Sequence, residues 1–390
     1  MKFKTVIATG IAAAMATALV ACSTGGSGSD SASSTGGPLP AGEYTIGLEA
    51  MLTGTYASAG KELSEGEHFA VDEINQTGYL GPGATLKVSE IDAAADPARS
   101  IAALTTFSQQ GVSGVVCCSI SPVAGALAPV AKNLKIPIVI HTAVLPNIAN
   151  PPYVYRLLPS LSASGYNIAI QRMLAAHPAK TAVVAVTKDS DGTVADAKAM
   201  EAQLSKSGVS DVTEVTSLAA DTDMSGMATQ IIAKKPDLVL MSMIYPSPLL
   251  LIKELRNRGY SGPVVSTKSF ATADSWSLSG GAVAGALFPI EYWTGSTQPA
   301  AVAFTTAFQK AKGKAPTVYD AQAYAATYLL AEGIKNSGTG RAVDVGAALA
   351  KITSVDSVFG TLALTNGQGV FSSDPEMLTW SDGKLVPWTP

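Results

Sequence analysis

Few residues in this chain are of the types that carry out chemistry. The 390 residues include three histidines (His68, His141 and His177) and three cysteines. A nucleophilic enzyme needs a nucleophile held beside a base, and the sequence has no Gly-x-Ser-x-Gly elbow. It has no Gly-x-x-x-x-Gly-Lys-Ser/Thr phosphate loop and no Gly-x-Gly-x-x-Gly behind a strand. No His/Cys pair has zinc-ligand spacing. The expectation is no enzyme: no catalytic residue, no metal and no cofactor. A secreted hydrolase stays as an alternative, because a triad assembles in space rather than in sequence. His68 and His177 lie in helix-like contexts and read as surface or packing residues. Cys117 and Cys118 are adjacent at the end of an expected strand and read as two small buried hydrophobes. A vicinal disulfide and a metal or redox role are the alternatives. Ser121-Pro122 joins a good N-cap to a proline at the first helical position. Helix N-termini attract anions through free N–H groups and the dipole. Ser121 therefore caps a helix, holds an anionic group, or does both.

These side chains need a frame. From Tyr44 the sequence alternates strand and helix. Tyr44–Ala50 reads as a strand, and Lys61–Asn75 as a helix with Leu63, Ala70, Val71 and Ile74 on one stripe. Thr85–Ile91, Ser113–Cys118 and Ile136–Ile140 read as strands. Asp96-Pro97 and Ser121-Pro122 open the helices between them. The pattern restarts near Thr181, with strands at Ala182–Val186, Val212–Ser217, Leu238–Met243 and Val264–Ser266. Helices are expected over Val194–Ser207, Gly226–Lys234 and Leu249–Arg258, and again from Ala300 to Ile352. Val358–Leu364 and Glu376–Trp388 read as short strands and turns. Two such halves predict an α/β fold of two doubly wound parallel-sheet lobes. Open α/β sheets bind ligands beyond the carboxyl ends of their strands. The loops of interest are 51–60, 119–122, 141–147, 187–193, 245–248, 267–274 and 291–295.

Composition narrows the function classes. Hydrophobic residues make up 47% and charged residues 14%, which excludes a disordered chain and leaves ample core material. Net charge is −4, from 26 Lys+Arg against 30 Asp+Glu, without a basic run, so no nucleic-acid partner is expected. At the N-terminus, Lys2 and Lys4 precede an apolar stretch from Val6 to Ala21. That stretch is shorter than the ~20 apolar residues of a bilayer span. Leu19-Val20-Ala21-Cys22 resembles the bacterial lipobox, which implies a signal peptide over 1–21 and lipidation of Cys22. Residues 22–42 are rich in Ser, Gly and Thr and read as a flexible linker.

Several strings, taken in order, carry a family resemblance. They are Ile46-Gly47, Leu52-Thr53-Gly54 and Gly60; Gly66-x-x-x-Ala70-Val71-x-Glu73-Ile74-Asn75-x-x-Gly78; and Asp92 with Asp96-Pro97. Ser119-x-Ser121, Ala124, Ala128-Pro129-Val130-Ala131, Ile136-Pro137, Tyr153-Val154-Tyr155-Arg156 and Pro236-Asp237 follow. From about Tyr44 to the C-terminus the chain resembles the branched-chain amino acid (Leu/Ile/Val) binding proteins. These are type I, periplasmic-binding-protein-like substrate-binding subunits of ABC importers. The resemblance implies two lobes joined by three crossovers, the first over 43–158 plus 290–359 and the second over 159–289 plus 360–390. It implies a ligand in the cleft, hinge closure, an ABC permease as partner, and a monomer. With the lipobox it implies a lipoprotein anchored at the extracytoplasmic face of a bacterial membrane. A ligand-sensing receptor subunit for a membrane signalling protein is the alternative within this fold.

The resemblance also implies a ligand site. Ser119 and Ser121 match one segment that holds a ligand carboxylate, and His141, Thr142 and Ala143 match the second. Tyr245 matches an aromatic from the second lobe, and Tyr292 or Trp293 one at the side-chain end. Tyr56 lies near a pocket aromatic whose place Ala59 takes. Two departures stand out. Where relatives pair an acid with the ligand ammonium, this chain reads Ser266-Thr267-Lys268-Ser269-Phe270. A lysine there repels an ammonium unless it turns to solvent. The loop Thr187–Val194 lacks a tyrosine but carries Asp189 and Asp191. The expected ligand is a branched-chain amino acid, or else a small organic or aromatic carboxylate or amide held by Lys268, Ser119 and His141.

Overall fold

A computed structural model describes residues 37–158, 165–370 and 374–390. The expected signal peptide 1–21, Cys22 and the linker as far as residue 36 lie outside the described residues. The first run of elements is β1 (Gly42–Ala50), α1 (Ala57–Thr77), β2 (Ala84–Asp92), α2 (Pro97–Gln110), β3 (Val115–Cys117), α3 (Ser121–Leu134), β4 (Ile138–Ile140) and β5 (Val154–Arg156). The second is α4 (Gly165–Ala176), β6 (Thr181–Thr187), α5 (Asp191–Lys206), β7 (Asp211–Ser217), α6 (Ser225–Ala233), β8 (Leu238–Ser242), α7 (Ser247–Asn257), β9 (Val264–Val265), α8 (Ser275–Ser279) and β10 (Phe288–Ile290). Helices α9 (Pro299–Lys312), α10 (Val318–Ser337) and α11 (Ala342–Leu349) follow. The chain ends with β11 (Ser354–Ser357), β12 (Gly360–Thr365), β13 (Gln368–Val370), β14 (Glu376–Ser381) and β15 (Lys384–Pro387).

Among the described residues, the largest sheet has the order β11-β12-β13-β5-β4-β3-β1-β2. Its β2, β1, β3, β4 and β5 are parallel. A second sheet, β7-β6-β8-β9, is parallel throughout. A third, β10-β14-β15, is antiparallel and meets the second through a Val265–Leu287 bridge. Helices cover the parallel strands on both faces, so Ile138–Ile140 and Ala182–Val186 are buried on both sides. The sheets correct one expected boundary. The resemblance implies residues 360–370 in the second lobe, yet β12 and β13 extend the first sheet, with Gln368 paired to Arg156 of β5. The hydrogen-bonded meander β11-β12-β13 keeps these residues with the first sheet, and of the C-terminal strands only β14 and β15 lie in the third.

Local signals explain the helix starts. The Asp96 carboxylate accepts the Arg99 N–H, as its place before Pro97 predicts. Thr317 and Asp320 form a reciprocal capping box at the start of α10. Ser121 differs: it is the first residue of α3, Ile120 takes the N-cap position, and no side chain caps the helix. Helix α1 lies directly on α10 at Gly66, where an added Cβ would fall 2.2 Å from the Asp320 carbonyl oxygen. A Gly66→Ala change pits that methyl against backbone, which cannot rotate away. It is expected to destabilise the protein by about 1–3 kcal/mol, measured as a lower urea midpoint. An unchanged midpoint would mean that the two helices are free to separate.

Candidate functional site

The carboxyl ends of both parallel sheets open onto one cavity. Its wall takes Met51 after β1, Ser119, Ile120 and Ser121 after β3, and Thr142, Ala143 and Val144 after β4. From the second sheet come Ser190 and Thr193 after β6, Met243, Ile244 and Tyr245 after β8, and Thr267, Lys268 and Ser269 after β9. The space open to the centre of a water-sized sphere is about 100 Å³. Hydroxyls and tyrosines share the wall with Met, Ile, Val and Ala, which suits a solute with a polar end and an apolar body.

Buried groups hold the loop after β3 in place. Cys117 and Cys118 form a disulfide, and Cys118 sits at φ 76°. Glu49 on β1 accepts the Cys118 N–H at 3.1 Å and the Ser100 hydroxyl at 2.7 Å. Burial raises the Glu49 pKa, and these two hydrogen bonds oppose the shift. Ser119 follows directly. Across the cavity, the Thr193 hydroxyl donates to the Ser190 carbonyl at 2.8 Å and secures the turn into α5. The first and second sheets approach closely at Gly192, where an added Cβ would stand 2.2 Å from Ser121 Oγ and 2.9 Å from Val144 Cγ2.

The charges at the site come in opposed pairs. Lys268 Nζ lies 3.3 Å from Glu291 Oε1, and that glutamate side chain is 1% exposed. Asp196 lines the cavity, hydrogen-bonds Tyr166 and acts on the buried Arg156 guanidinium. Burial lowers the Arg156 pKa to about 10 while Asp196 holds it up. Arg156 also donates to Gln368 Oε1 at 2.6 Å and the Leu145 carbonyl at 2.8 Å.

The profile of the periplasmic binding protein family matches residues 43–384. The chain belongs to this family. A Leu/Ile/Val-binding protein, BraC3, of Rhizobium johnstonii is 25% identical over 353 residues, spanning 90% of this chain and 95% of that protein. In fold, this binding protein is similar to the branched-chain amino acid substrate-binding protein LivJ of Streptococcus pneumoniae, solved with isoleucine. There the TM-score is 0.78 at 21% identity, covering 88% of this chain and 98% of that one. It is equally similar to a solute-binding protein of R. palustris solved with 4-hydroxybenzoate, at TM-score 0.79 and 22% identity, covering 89% and 95%.

The structure of the binding protein brings Ser119, Ser121, Thr142, Ala143, Tyr245 and Lys268 together at the cavity. Tyr56 and Ala59 join them. Three expected site residues stand elsewhere. His141 is 1% exposed, behind Thr142 and off the wall, with Nε2 3.6 Å from Glu67. Burial and then Lys268 push its pKa down to about 3, so it supplies no positive charge to an anion. Tyr292 packs edge-on against Phe304, with its hydroxyl 2.6 Å from Thr305 Oγ1. Trp293 donates to Glu376 at 2.5 Å, on the β14 side. Both aromatics belong to the packing around β10 and α9. Two further wall positions already have partners. Lys268 neither turns to solvent nor stands alone, because Glu291 meets it. The Ala143 N–H is already given to the Cys118 carbonyl at 3.1 Å. Asp189 accepts the Ala219 N–H at 2.9 Å, and neither it nor Asp191 is on the wall. The cysteines are buried as expected, in the disulfide form held as an alternative.

Sequence reasoning missed Tyr166, Asp196 and Tyr319, all on the wall, and Glu291 behind it. The first three sit in helices, where a polar residue carries no mark of facing a cleft. Glu291 opens the loop 291–295, where only the aromatics Tyr292 and Trp293 match expected site residues.

Proposed function

We propose that this chain is an extracytoplasmic solute receptor of an ABC importer. It closes two lobes on a small solute bearing a carboxylate: a branched-chain amino acid, or a small organic or aromatic carboxylate. The lobes are the bodies built on the first sheet and on the paired second and third sheets. The observation that carries this reading is the cavity walled by strand ends of both bodies, the place where doubly wound sheets bind ligands. The α3 N-terminus, Ser119, Ser121 and Lys268 offer donors to a carboxylate. Met51, Ile120, Val144, Met243 and Ile244 suit an apolar body. A ligand that binds the closed form better shifts the population toward it, and a permease that reads the closed form then receives loaded receptor. Cys22 tethers the protein to the membrane through lipid in this scheme.

A thermal-shift panel tests it, with the twenty amino acids, short amides, and aliphatic and aromatic carboxylates. A solute at about 100 times its Kd stabilises by about 2.7 kcal/mol. A raised midpoint with leucine, isoleucine, valine or an organic carboxylate is the expected result. Silence across the whole panel would sink the reading.

A further inference from the structure

A groove on the first body shares no wall residue with the cleft, and solute binding leaves it unused. Its open space is about 750 Å³, against about 100 Å³ in the cleft. Helices α9 and α10 line one side and β11 the other. Successive side chains of a strand point to opposite faces, yet every residue from Ser354 to Val358 is on the groove wall. The groove therefore runs along an edge of β11, not over one of its faces. Strand β12 pairs with one edge and puts no residue on the wall, so the groove follows the other edge, where the sheet ends. Such an edge offers backbone N–H and C=O groups to an extended chain.

The opposite wall is aromatic and acidic. The rings of Phe304, Tyr324, Tyr328 and Tyr79 follow one another with centroids 4.7, 4.8 and 5.1 Å apart. Tyr324 and Tyr328 donate to Glu73 Oε1 at 2.7 and 2.8 Å, and Tyr79 to Glu332 Oε2 at 2.6 Å. Asp356 adds a third carboxylate from β11 itself, and no lysine or arginine is on the wall among the described residues. Cations are drawn to ring faces as well as to carboxylates. The chain already seats one in this way, with Lys335 Nζ 4.5 Å from the centre of the Tyr79 ring. Lys351 lines the adjoining hollow, which shares Glu332 and Ser354, and the carboxylates still stand in excess.

Charge decides what fits. Outside the described residues this chain's lysines and arginines are Lys2 and Lys4, both in the expected signal peptide, and the expected linker carries Asp30. A second copy pairing through its own β11 would bring like acids together. We propose that the groove docks an extended segment of a partner protein that bears lysine or arginine, adding a strand to the free edge of β11 and laying its cations over the tyrosines and carboxylates. The proposal goes beyond the solute reading and does not depend on it.

The test is fluorescence anisotropy of a labelled peptide, Ser-Lys-Val-Arg-Val-Lys-Ser amide, titrated with the full protein at low salt. A Kd of roughly 100 µM or tighter is expected. N-methylating the peptide at both valines and the arginine keeps its charge but blocks strand pairing along both edges. That change is expected to weaken binding at least about tenfold. Asp356 is exposed, so Asp356→Lys is expected to keep the wild-type thermal midpoint and to weaken binding at least about tenfold. Should Asp356→Lys fail to fold, Glu332→Gln, which keeps an oxygen for Tyr79, and the methylated peptide decide in its place. No binding up to about 1 mM overturns the proposal. Equal binding of the methylated peptide would mean diffuse attraction to an acidic protein, and binding untouched by the folded variant would put the peptide elsewhere. Either result overturns the proposal and leaves the solute-receptor reading standing.

Discussion

Gly192→Val is expected to weaken solute binding by about 10- to 100-fold while leaving the thermal midpoint of the solute-free protein nearly unchanged. Gly192 lies in the first turn of α5, on the second-sheet side of the cavity. A side chain there enters the space of two residues from the first-sheet side. Its Cβ alone would come within 2.2 Å of Ser121 Oγ, 3.1 Å of Ser121 Cβ and 2.9 Å of Val144 Cγ2. The Ser121 hydroxyl can rotate away, but its Cβ and the Val144 methyl cannot both do so. A branched side chain therefore props the lobes apart. Propping costs little when no solute holds them shut, because hinge opening separates these surfaces without unfolding either body. Calorimetric titration with the best solute of the panel, alongside melting of the free protein, checks the claim. Unchanged affinity would show that Ser121 and Gly192 do not meet in the loaded form. A midpoint that falls in step with affinity would instead place the damage in the fold of α5.

Much of this frame can be read from the sequence because parallel strands buried on both faces leave dense apolar runs. Tyr44–Ala50, Ala182–Val186 and Leu238–Met243 coincide with β1, β6 and β8 to within two residues at each end. Asp96-Pro97 marks the start of α2 for a local reason, a carboxylate held three residues from the N–H it accepts. The cavity loops follow in turn, since the rule about strand ends needs only strand order. All the loops of interest except 291–295 supply wall residues. What stays hidden is long-range. Glu291 and Lys268 lie 23 residues apart, and the bridge from Val265 of β9 to Leu287, just before β10, brings their segments together. Without that contact, Lys268 reads as a bare charge. The alternation of β12 is equally plain in sequence, but nothing in it says which sheet it extends. Gln368 decides that by pairing with Arg156 from 212 residues away. Tyr292 and Trp293 show the opposite failure: aromatic residues at a strand end suit a pocket and a core equally, and here the core holds them.

A second large effect is expected at Glu62, where a buried carboxyl makes stability depend on pH. Glu62 lies on α1, 6% exposed, and accepts the Ala273 N–H at 3.1 Å and the Thr317 hydroxyl at 3.0 Å. Burial raises its pKa from 4.5 to about 7; the Ala273 and Thr317 hydrogen bonds oppose the shift, while the carboxylates of Asp320 and Asp274 add to it. The folded protein therefore keeps a proton on Glu62 over a range where the unfolded chain has lost it. Its share of stability is full below about pH 4.5 and is lost as pH rises through about 7. The shift is worth roughly 3 kcal/mol. Asp320, raised to about 6 mainly by burial, acts with the same sign over a lower window. Glu62→Gln keeps an oxygen for the Ala273 N–H and cannot ionise. It is expected to match wild type in stability at pH 4.5 and to exceed it at pH 8 by an amount of that order. Urea unfolding of both proteins at the two pH values measures the difference directly. Parallel pH curves for wild type and variant would mean that Glu62 ionises in the folded protein as easily as in water. The contact with Ala273, which ties α1 to the segment after β9, would then be an ordinary charged hydrogen bond. A variant weaker at both pH values would show that the contact matters for its geometry and not for its proton.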